Sequence, residues 1–137
     1  MNSQLKVVIF EEKNIIKNLL TLLDEQYNLI IDKDVIKMDK IAKELDESAK
    51  NLARIEIKRR NIMGSESSMK EVVEASDDEK IKQAYEEIQA TLKMIEIQKE
   101  ANEILIKQRL FFTQKMMNCI KPNKGIGTYN AYGQVGK

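Results

Sequence analysis

Apolar residues return at seven-residue steps along most of the chain. The first segment contains two such columns: Ile9, Ile16, Leu23 and Ile30 in one, and Leu20 and Tyr27 in the other. Because about seven residues make two turns of an α-helix, each column lies on one side of a helix and forms an apolar stripe of coiled-coil type. The pattern predicts a first helix over roughly residues 4–31.

The second segment repeats this pattern and carries signals for both of its ends. Its columns are Met38, Leu45 and Leu52 in one, and Ile41, Ile55 and Ile62 in the other, with Ser48 in the gap. They predict a second helix over roughly residues 34–63. Asp34 can cap the first turn, because its carboxylate accepts hydrogen bonds from amides that have no partner inside the helix. Gly64 follows where a C-terminal cap residue is expected.

A single internal linker leads to the third long helix. The linker, residues 64–76, reads GSESSMKEVVEAS. Its apolar residues suit a short amphipathic turn and are Met69, Val72 and Val73. Ser76 and Glu79 then form a capping box, in which the hydroxyl and the carboxylate each satisfy an amide at a helix start. The third helix is predicted over residues 77–120.

The apolar pattern of this third helix changes part-way along it. Its first half carries two columns, Ile81, Ile88 and Ile95 in one, and Tyr85 and Leu92 in the other. The same columns then meet the polar residues Lys99, Asn102 and Arg109. Apolar residues resume on a shifted column at Leu105, Phe112 and Cys119. We therefore expect one continuous helix whose apolar stripe shifts, or which bends, near residues 96–102.

The three helices differ in length, and this matters for the end of the last one. At about 1.5 Å per residue, the first two span roughly 40 Å each and the third roughly 65 Å. We predict an all-α, elongated up-down-up bundle, in which the third helix passes the ends of the others near Leu105. The projecting residues 106–120 include Leu110, Phe111, Phe112, Met116, Met117 and Ile120. They form either a surface for a partner's amphipathic helix or a segment that is covered by the bundle itself.

The C-terminal residues, which end in TYNAYGQVGK, cannot continue the helix. Pro122 stops it, because proline lacks the backbone donor and clashes with the preceding turn. We predict a helical domain over residues 1–121 and a flexible tail over residues 122–137. With Tyr129 and Tyr132 as aromatic anchors, the tail is interpreted as a docking segment, the alternative being a lid on the apolar end of the last helix.

Composition argues against an enzyme. Among 137 residues there is no histidine and one cysteine, Cys119, so a Ser-His-Asp triad, a histidine-ligated metal and a zinc–thiolate cluster are excluded. The acidic residues, including Glu96, Glu100 and Glu103, are interpreted as a solvated face paired with lysines. No cofactor is expected.

Charge and hydropathy limit the partners. The net charge of +1 is too small for a typical nucleic-acid binder. The one basic cluster, Lys58-Arg59-Arg60, is interpreted as a solvated helix end. No signal peptide is recognised and no run reaches the roughly 20 apolar residues that span a bilayer, so no membrane insertion is expected. The lone cysteine fits the reducing cytoplasm.

Several stretches, in their order along the chain, resemble the FlgN family of flagellar export chaperones. A helix with LLTLLDEQYNLI is followed by a short acidic turn and a lysine-rich helix that ends in RRNIM. Next comes EANEILIKQRLFF, in which Asn102 precedes Leu105 and Ile106. The tail contains Thr128-Tyr129 followed by Gly133. The resemblance covers nearly the whole chain.

This resemblance implies a small, helical, cytoplasmic chaperone without enzymatic activity. Its clients would be the hook–filament junction (hook-associated) proteins FlgK and FlgL, whose C-terminal regions it would hold before delivery to the type III export gate. By analogy, the client-binding residues are Leu105, Phe111, Phe112, Met116, Met117 and Ile120. By the same analogy, Tyr129 is the first candidate and Tyr132 the second candidate for docking to an export gate component.

Heptads alone fit a second function equally well, that of a generic coiled-coil adaptor or assembly protein. Such a protein could associate with itself along the same stripes. A homodimer through the apolar end of the third helix is therefore an open alternative. Mass in solution as a function of concentration distinguishes these two functions.

Overall fold

The computed structural model describes residues 3–64, 68–120, 129–130 and 134–135. Its helices are α1 (Ser3–Asp32), α2 (Val35–Met63), α3 (Met69–Glu74) and α4 (Glu79–Ile120), and its strands are β1 (Tyr129–Asn130) and β2 (Gln134–Val135). The chain divides into two compact units, Met1–Asn102 and Glu103–Lys137. The all-α class and the three long helices are confirmed. None of the described helices is long and apolar enough to cross a membrane.

Both predicted caps of α2 are confirmed. The carboxylate of Asp34 accepts a hydrogen bond of 3.1 Å from the amide of Lys37. At the other end, Gly64 adopts a positive φ of 82°, a conformation that glycine tolerates because it has no Cβ. Its amide donates to the carbonyl of Arg60 over 2.8 Å. Sequence and local geometry therefore agree on where α2 begins and ends.

The predicted capping box before α4 is wrong. The Ser76 hydroxyl accepts from the amide of Asp78 over 3.1 Å, and not from the amide of Glu79. The carboxylate of Asp78 accepts from the amide of Lys80 over 3.0 Å. Aspartate is as good a cap as serine and stands directly before the first turn, so it takes this role.

Within the first unit, the contacts fix the directions of the helices. Along α1 and α4 the contacts advance together: Lys6 with Asp78, Lys17 with Glu87, and the backbone of Leu23 with Asn102. These two helices are therefore parallel. Along α1 and α2 the order is reversed, with Glu11 near Lys58 and Asn18 near Ser48, so this pair is antiparallel. The up-down-up order is confirmed for the first unit.

The core of the first unit lies on α1, with α3 and α4 against it. One cluster of buried apolar residues in this core comprises Leu5, Ile9, Ile16, Val73, Ile81, Ala84 and Ile88. Val73 comes from α3, so the turn predicted within the linker is a short helix that packs on the core. The predicted column of α1, Ile9 to Ile30, is buried throughout.

The predicted shift of the apolar stripe along α4 is wrong for the first unit. Buried and half-buried positions continue in unbroken steps of three and four residues, at Ile81, Ala84, Ile88, Thr91, Ile95, Gln98 and Asn102. The second buried column of α4 therefore begins at Ala84, whereas the predicted one consisted of Tyr85 and Leu92. Leu92 is exposed. The helix itself is continuous to Ile120, as predicted.

Asn102 explains why the sequence pattern was misleading. Its side chain is 1% exposed and occupies a core position. The amide nitrogen donates to the carbonyl of Leu23 and to Gln26 Oε1, and the amide oxygen accepts from Gln98 Nε2, each over 2.9 Å. A buried amide is tolerated when its hydrogen bonds are satisfied. The buried face therefore changes from apolar to polar without changing its position on the helix.

We expect Ile81→Ala to lower the free energy of unfolding by about 2–5 kcal/mol, because Ile81 is 0% exposed and its loss leaves a cavity. Ile97→Ala is the matched control, since it makes the same change in the same helix at a side chain that is 70% exposed. It should change the free energy by about 0.5 kcal/mol or less. Urea unfolding of both variants measures this, and equal losses would contradict the assignment of the core.

Candidate functional site

The end of α4 carries an exposed apolar surface within the second unit. Every residue from Leu110 to Ile120 is exposed. We call the following residues the terminal apolar surface: Leu105, Leu110, Phe111, Phe112, Met116, Met117 and Ile120. Phe111 is 61% exposed and Ile120 is 70% exposed. Contiguous exposed apolar surface of this kind usually marks an interaction site.

These side chains lie on more than one side of the helix. Leu105, Phe112 and Met116 follow one another at steps of seven and four residues and share one side. Phe111 lies about 100° away from Phe112, since each residue advances the helix by that angle. The ammonium of Lys115 is 5.2 Å from the centre of the Phe111 ring, a distance at which a cation attracts an aromatic face. A partner that covers the whole surface must contact two sides of α4.

The structure places the predicted site residues as follows. Of the six predicted client-binding residues, Leu105 is half-buried and the other five are exposed. Leu110, which is also exposed, was missing from that set. The backbone of Tyr129 belongs to β1 and pairs with Val135 of β2. The side chain of Tyr129 and all of Tyr132 lie outside the described residues.

A second chemically distinctive cluster lies in the first unit and was not predicted. Glu12 of α1 is 5% exposed and faces Glu56 and Arg59 of α2. Arg59 Nη2 donates to Glu56 Oε1 over 2.9 Å. Arg59 Nε lies 3.7 Å from Glu12 Oε2, which is too far for a hydrogen bond, and it has no hydrogen-bond partner among the described residues.

This cluster corrects two interpretations of charged residues. Arg59 was assigned to a solvated helix end, but its side chain is only 18% exposed. The acidic residues as a group are interpreted as a solvated face, but Glu12 among them is buried. A signal was present in the sequence, because Glu12 lies seven residues from both Leu5 and Leu19. Likewise, Arg59 lies seven residues after Leu52.

Burial controls the protonation of this cluster. Removal from water raises the pKa of Glu12 to about 8, and the hydrogen bond and charge of Glu56 add to this effect, while Arg59 opposes it. The hydrogen bond from Glu12 lowers the pKa of Glu56, with Arg59 acting in the same direction. These opposite shifts favour a protonated Glu12 that donates a hydrogen bond to an ionised Glu56 carboxylate.

We expect Glu12→Gln to remove a pH dependence of stability. The folded chain keeps the Glu12 proton up to about pH 8, whereas the unfolded chain loses it near the ordinary pKa of 4.5. Between these values the folded state binds more protons, so the free energy of unfolding falls as pH rises. Glu56, Asp78 and Glu87 have lowered pKa values, so their effect on the free energy of unfolding lies at a lower pH than this window.

Urea unfolding at pH 5.5 and at pH 8.5 measures this effect. The wild type should lose stability between the two values, and Glu12→Gln should lose less. Glu11→Gln is the control, because it removes a neighbouring carboxylate that is about half-exposed. An unchanged pH dependence in Glu12→Gln would show that the proton is not held there.

Comparison with known proteins assigns the chain to a family. The family model described as FlgN protein matches residues 1–137. Comparisons with curated proteins and with solved structures gave no match. The family match covers the whole sequence, so it includes both the first unit and the terminal apolar surface. The chain therefore belongs to the FlgN family.

Proposed function

We propose that this member of a family of flagellar export chaperones binds the C-terminal region of hook–filament junction proteins of the FlgK and FlgL type. It would hold them in the cytoplasm, prevent their premature assembly and deliver them to the export gate. The observation that carries the proposal is the terminal apolar surface, whose aromatic and methionine side chains are exposed in the chain alone.

The chemistry of this surface suits an amphipathic client helix. Phe111 and Phe112 offer large apolar areas, and burial of such side chains dominates the energy of many interfaces. Met116 and Met117 are unbranched and polarizable, so they adapt to varied apolar partners. A client segment that forms a helix on this surface would bury its own assembly face. Premature assembly would then be blocked by occupancy of that face.

We propose a separate role for the C-terminal tail, that of docking to the export gate. Its support is the pair of tyrosines in a segment whose described residues are extended, at Tyr129–Asn130 and Gln134–Val135. An extended peptide can add its backbone to a partner while an aromatic ring fills a pocket. Tyr129 is the first candidate for that ring and Tyr132 the second.

Self-association is the second candidate for the terminal apolar surface. The same exposed residues that would hold a client could pair with those of a second copy, giving a homodimer or a coiled-coil adaptor. A chaperone and an adaptor differ in what a client does to the homodimer. A client that competes for the surface should dissociate the dimer, whereas an adaptor should keep it.

The test is co-purification of the full chain with the C-terminal segments of the junction proteins from the same organism. We expect a complex of defined stoichiometry by light scattering, formed at chain concentrations where the protein alone is a monomer. Absence of a complex, together with a concentration-dependent dimer that junction segments leave intact, would overturn the chaperone proposal in favour of the adaptor.

A further inference from the structure

Positive charge is concentrated at the C-terminal end of the chain. Residues 104–137 contain no aspartate or glutamate, whereas they contain six basic residues, which are Lys107, Arg109, Lys115, Lys121, Lys124 and Lys137. Because the whole chain has a net charge of +1, residues 1–103 carry a net charge of −5. The near-neutral total therefore hides a basic end, and that end includes the terminal apolar surface.

Lys115 differs from many lysines of the first unit in what surrounds it. Seven lysines of the first unit lie within 4.0 Å of a carboxylate. The last carboxylate side chain of the sequence is that of Glu103, about three helical turns before Lys115. Lys115 is exposed and forms no ion pair with any residue that the structure describes. Its charge is therefore available to a partner.

Lys115 lies inside the terminal apolar surface and not on an opposite, polar side of α4. Because each residue advances the helix by about 100°, Lys115 stands about 60° from Phe112 and about 40° from Phe111, between the two. Its ammonium is 5.2 Å from the centre of the Phe111 ring. Arg109, which is half-buried, lies about 60° from Phe112 in the other direction. The side of α4 that carries Phe112 and Met116 is therefore bordered by a cation on each flank.

We infer that the terminal apolar surface selects a client helix whose apolar stripe is bordered by aspartate or glutamate, one of which pairs with Lys115; this inference rests on the proposed function. Charged residues beside an apolar seam set partner choice and orientation in coiled coils. Opposite charges across an interface favour the correct partner, and like charges act against a wrong one. A helix bordered by lysine would bring like charges together beside Phe112.

The position of Lys115 favours a protein partner over a lipid surface. A helix that lies on a membrane separates an apolar face from a basic face. In α4 the cation stands between Phe111 and Phe112, so a bilayer that covered both rings would also cover the ammonium. Burial of a charge is costly unless an opposite charge pairs with it. A carboxylate at the border of a client helix supplies that opposite charge at the place where it is needed.

The test uses three designed amphipathic helical peptides with the same apolar stripe, whose bordering positions are all glutamate, all glutamine or all lysine. Titration calorimetry on the full chain measures their affinities at low and at high salt. We expect the glutamate peptide to bind about tenfold more tightly than the glutamine peptide, and the lysine peptide to bind more weakly than both. The preference should shrink as salt rises, because salt screens exposed charges.

Reversal of one charge locates the contact. Lys115→Glu should weaken binding of the glutamate peptide and strengthen binding of the lysine peptide. Lys99→Glu is the matched control, because it makes the same change at another exposed lysine of α4, outside the terminal apolar surface. It should leave the three affinities nearly unchanged.

Equal affinities of the wild type for the three peptides would overturn the charge selection, as would equal effects of Lys115→Glu and Lys99→Glu. Two other occupants of the surface are also tested. Binding to phosphatidylglycerol vesicles but to none of the peptides would assign the surface to a membrane. A salt-sensitive dimer that is lost in Lys115→Glu, and that the glutamate peptide leaves intact, would assign it to a second copy. Either result overturns the inference. None of these measurements uses junction segments, whose binding tests the chaperone proposal separately.

Discussion

Replacing Phe112 and Met116 together with alanine is expected to weaken client binding by about a thousandfold, since truncating an interface anchor costs about 2 kcal/mol or more. Both side chains are exposed in the chain alone and share one side of α4. The free energy of unfolding should therefore change by about 1 kcal/mol or less. Isothermal titration with a junction segment and urea unfolding of the same preparation measure the two effects.

Ile97→Ala is the control for this experiment, because it removes an exposed aliphatic side chain of α4 outside the terminal apolar surface. It should leave client affinity unchanged. Leu105 is less suited to the test, since it is half-buried and its truncation would mix stability with binding. A large loss of stability in the Phe112 and Met116 variant would place these residues in a core and reject the binding surface.

Deletion of residues 122–137 is expected to abolish docking to the export gate while helical content and client affinity stay close to those of the full chain. Helix α4, which carries the terminal apolar surface, ends at Ile120, before the deletion begins. Tyr129→Ala should reproduce most of the loss, and Tyr132→Ala a smaller part. Circular dichroism, client titration and a pull-down with the cytoplasmic part of the gate measure the three properties.

Tyr129→Phe distinguishes the ring from the hydroxyl. If the aromatic ring supplies the affinity, this variant should dock nearly as well as the wild type. The proposed division of roles fails if the deletion weakens client binding as much as gate binding, because the tail would then belong to the client site.

The sequence predicted the helices of the first unit well where their buried columns are apolar. The column from Ile9 to Ile30 is buried, and Asp34 and Gly64 cap α2 as expected. The prediction failed along α4, where Thr91, Gln98 and Asn102 occupy buried or half-buried positions. Hydropathy periodicity assumes that buried positions are apolar, so it cannot follow a stripe in which a polar residue such as Asn102 is satisfied by the hydrogen bonds that it donates to α1.

The two candidate sites, which are the terminal apolar surface and the charged cluster in the first unit, also differ in how far the sequence predicts them. Helix lengths indicated that about four turns at the apolar end of α4 extend past the other helices, but left open whether the bundle covers them. The structure decides this point, since every residue from Leu110 to Ile120 is exposed. The cluster of Glu12, Glu56 and Arg59 could not be predicted, since charged residues are ordinarily solvated and only their three-dimensional pairing shows otherwise. The apolar columns that contain Glu12 and Arg59 were the one available signal.

The buried amide of Asn102 gives α1 and α4 a single alignment. Apolar heptads repeat every seven residues, so two such helices can slide by one repeat and still bury apolar side chains. After such a slide another backbone carbonyl could replace that of Leu23, but Asn102 would lose the Gln26 side chain as an acceptor, and a buried donor left unpaired costs about 1–3 kcal/mol. A polar residue at a core position thus selects one register among several of similar apolar burial.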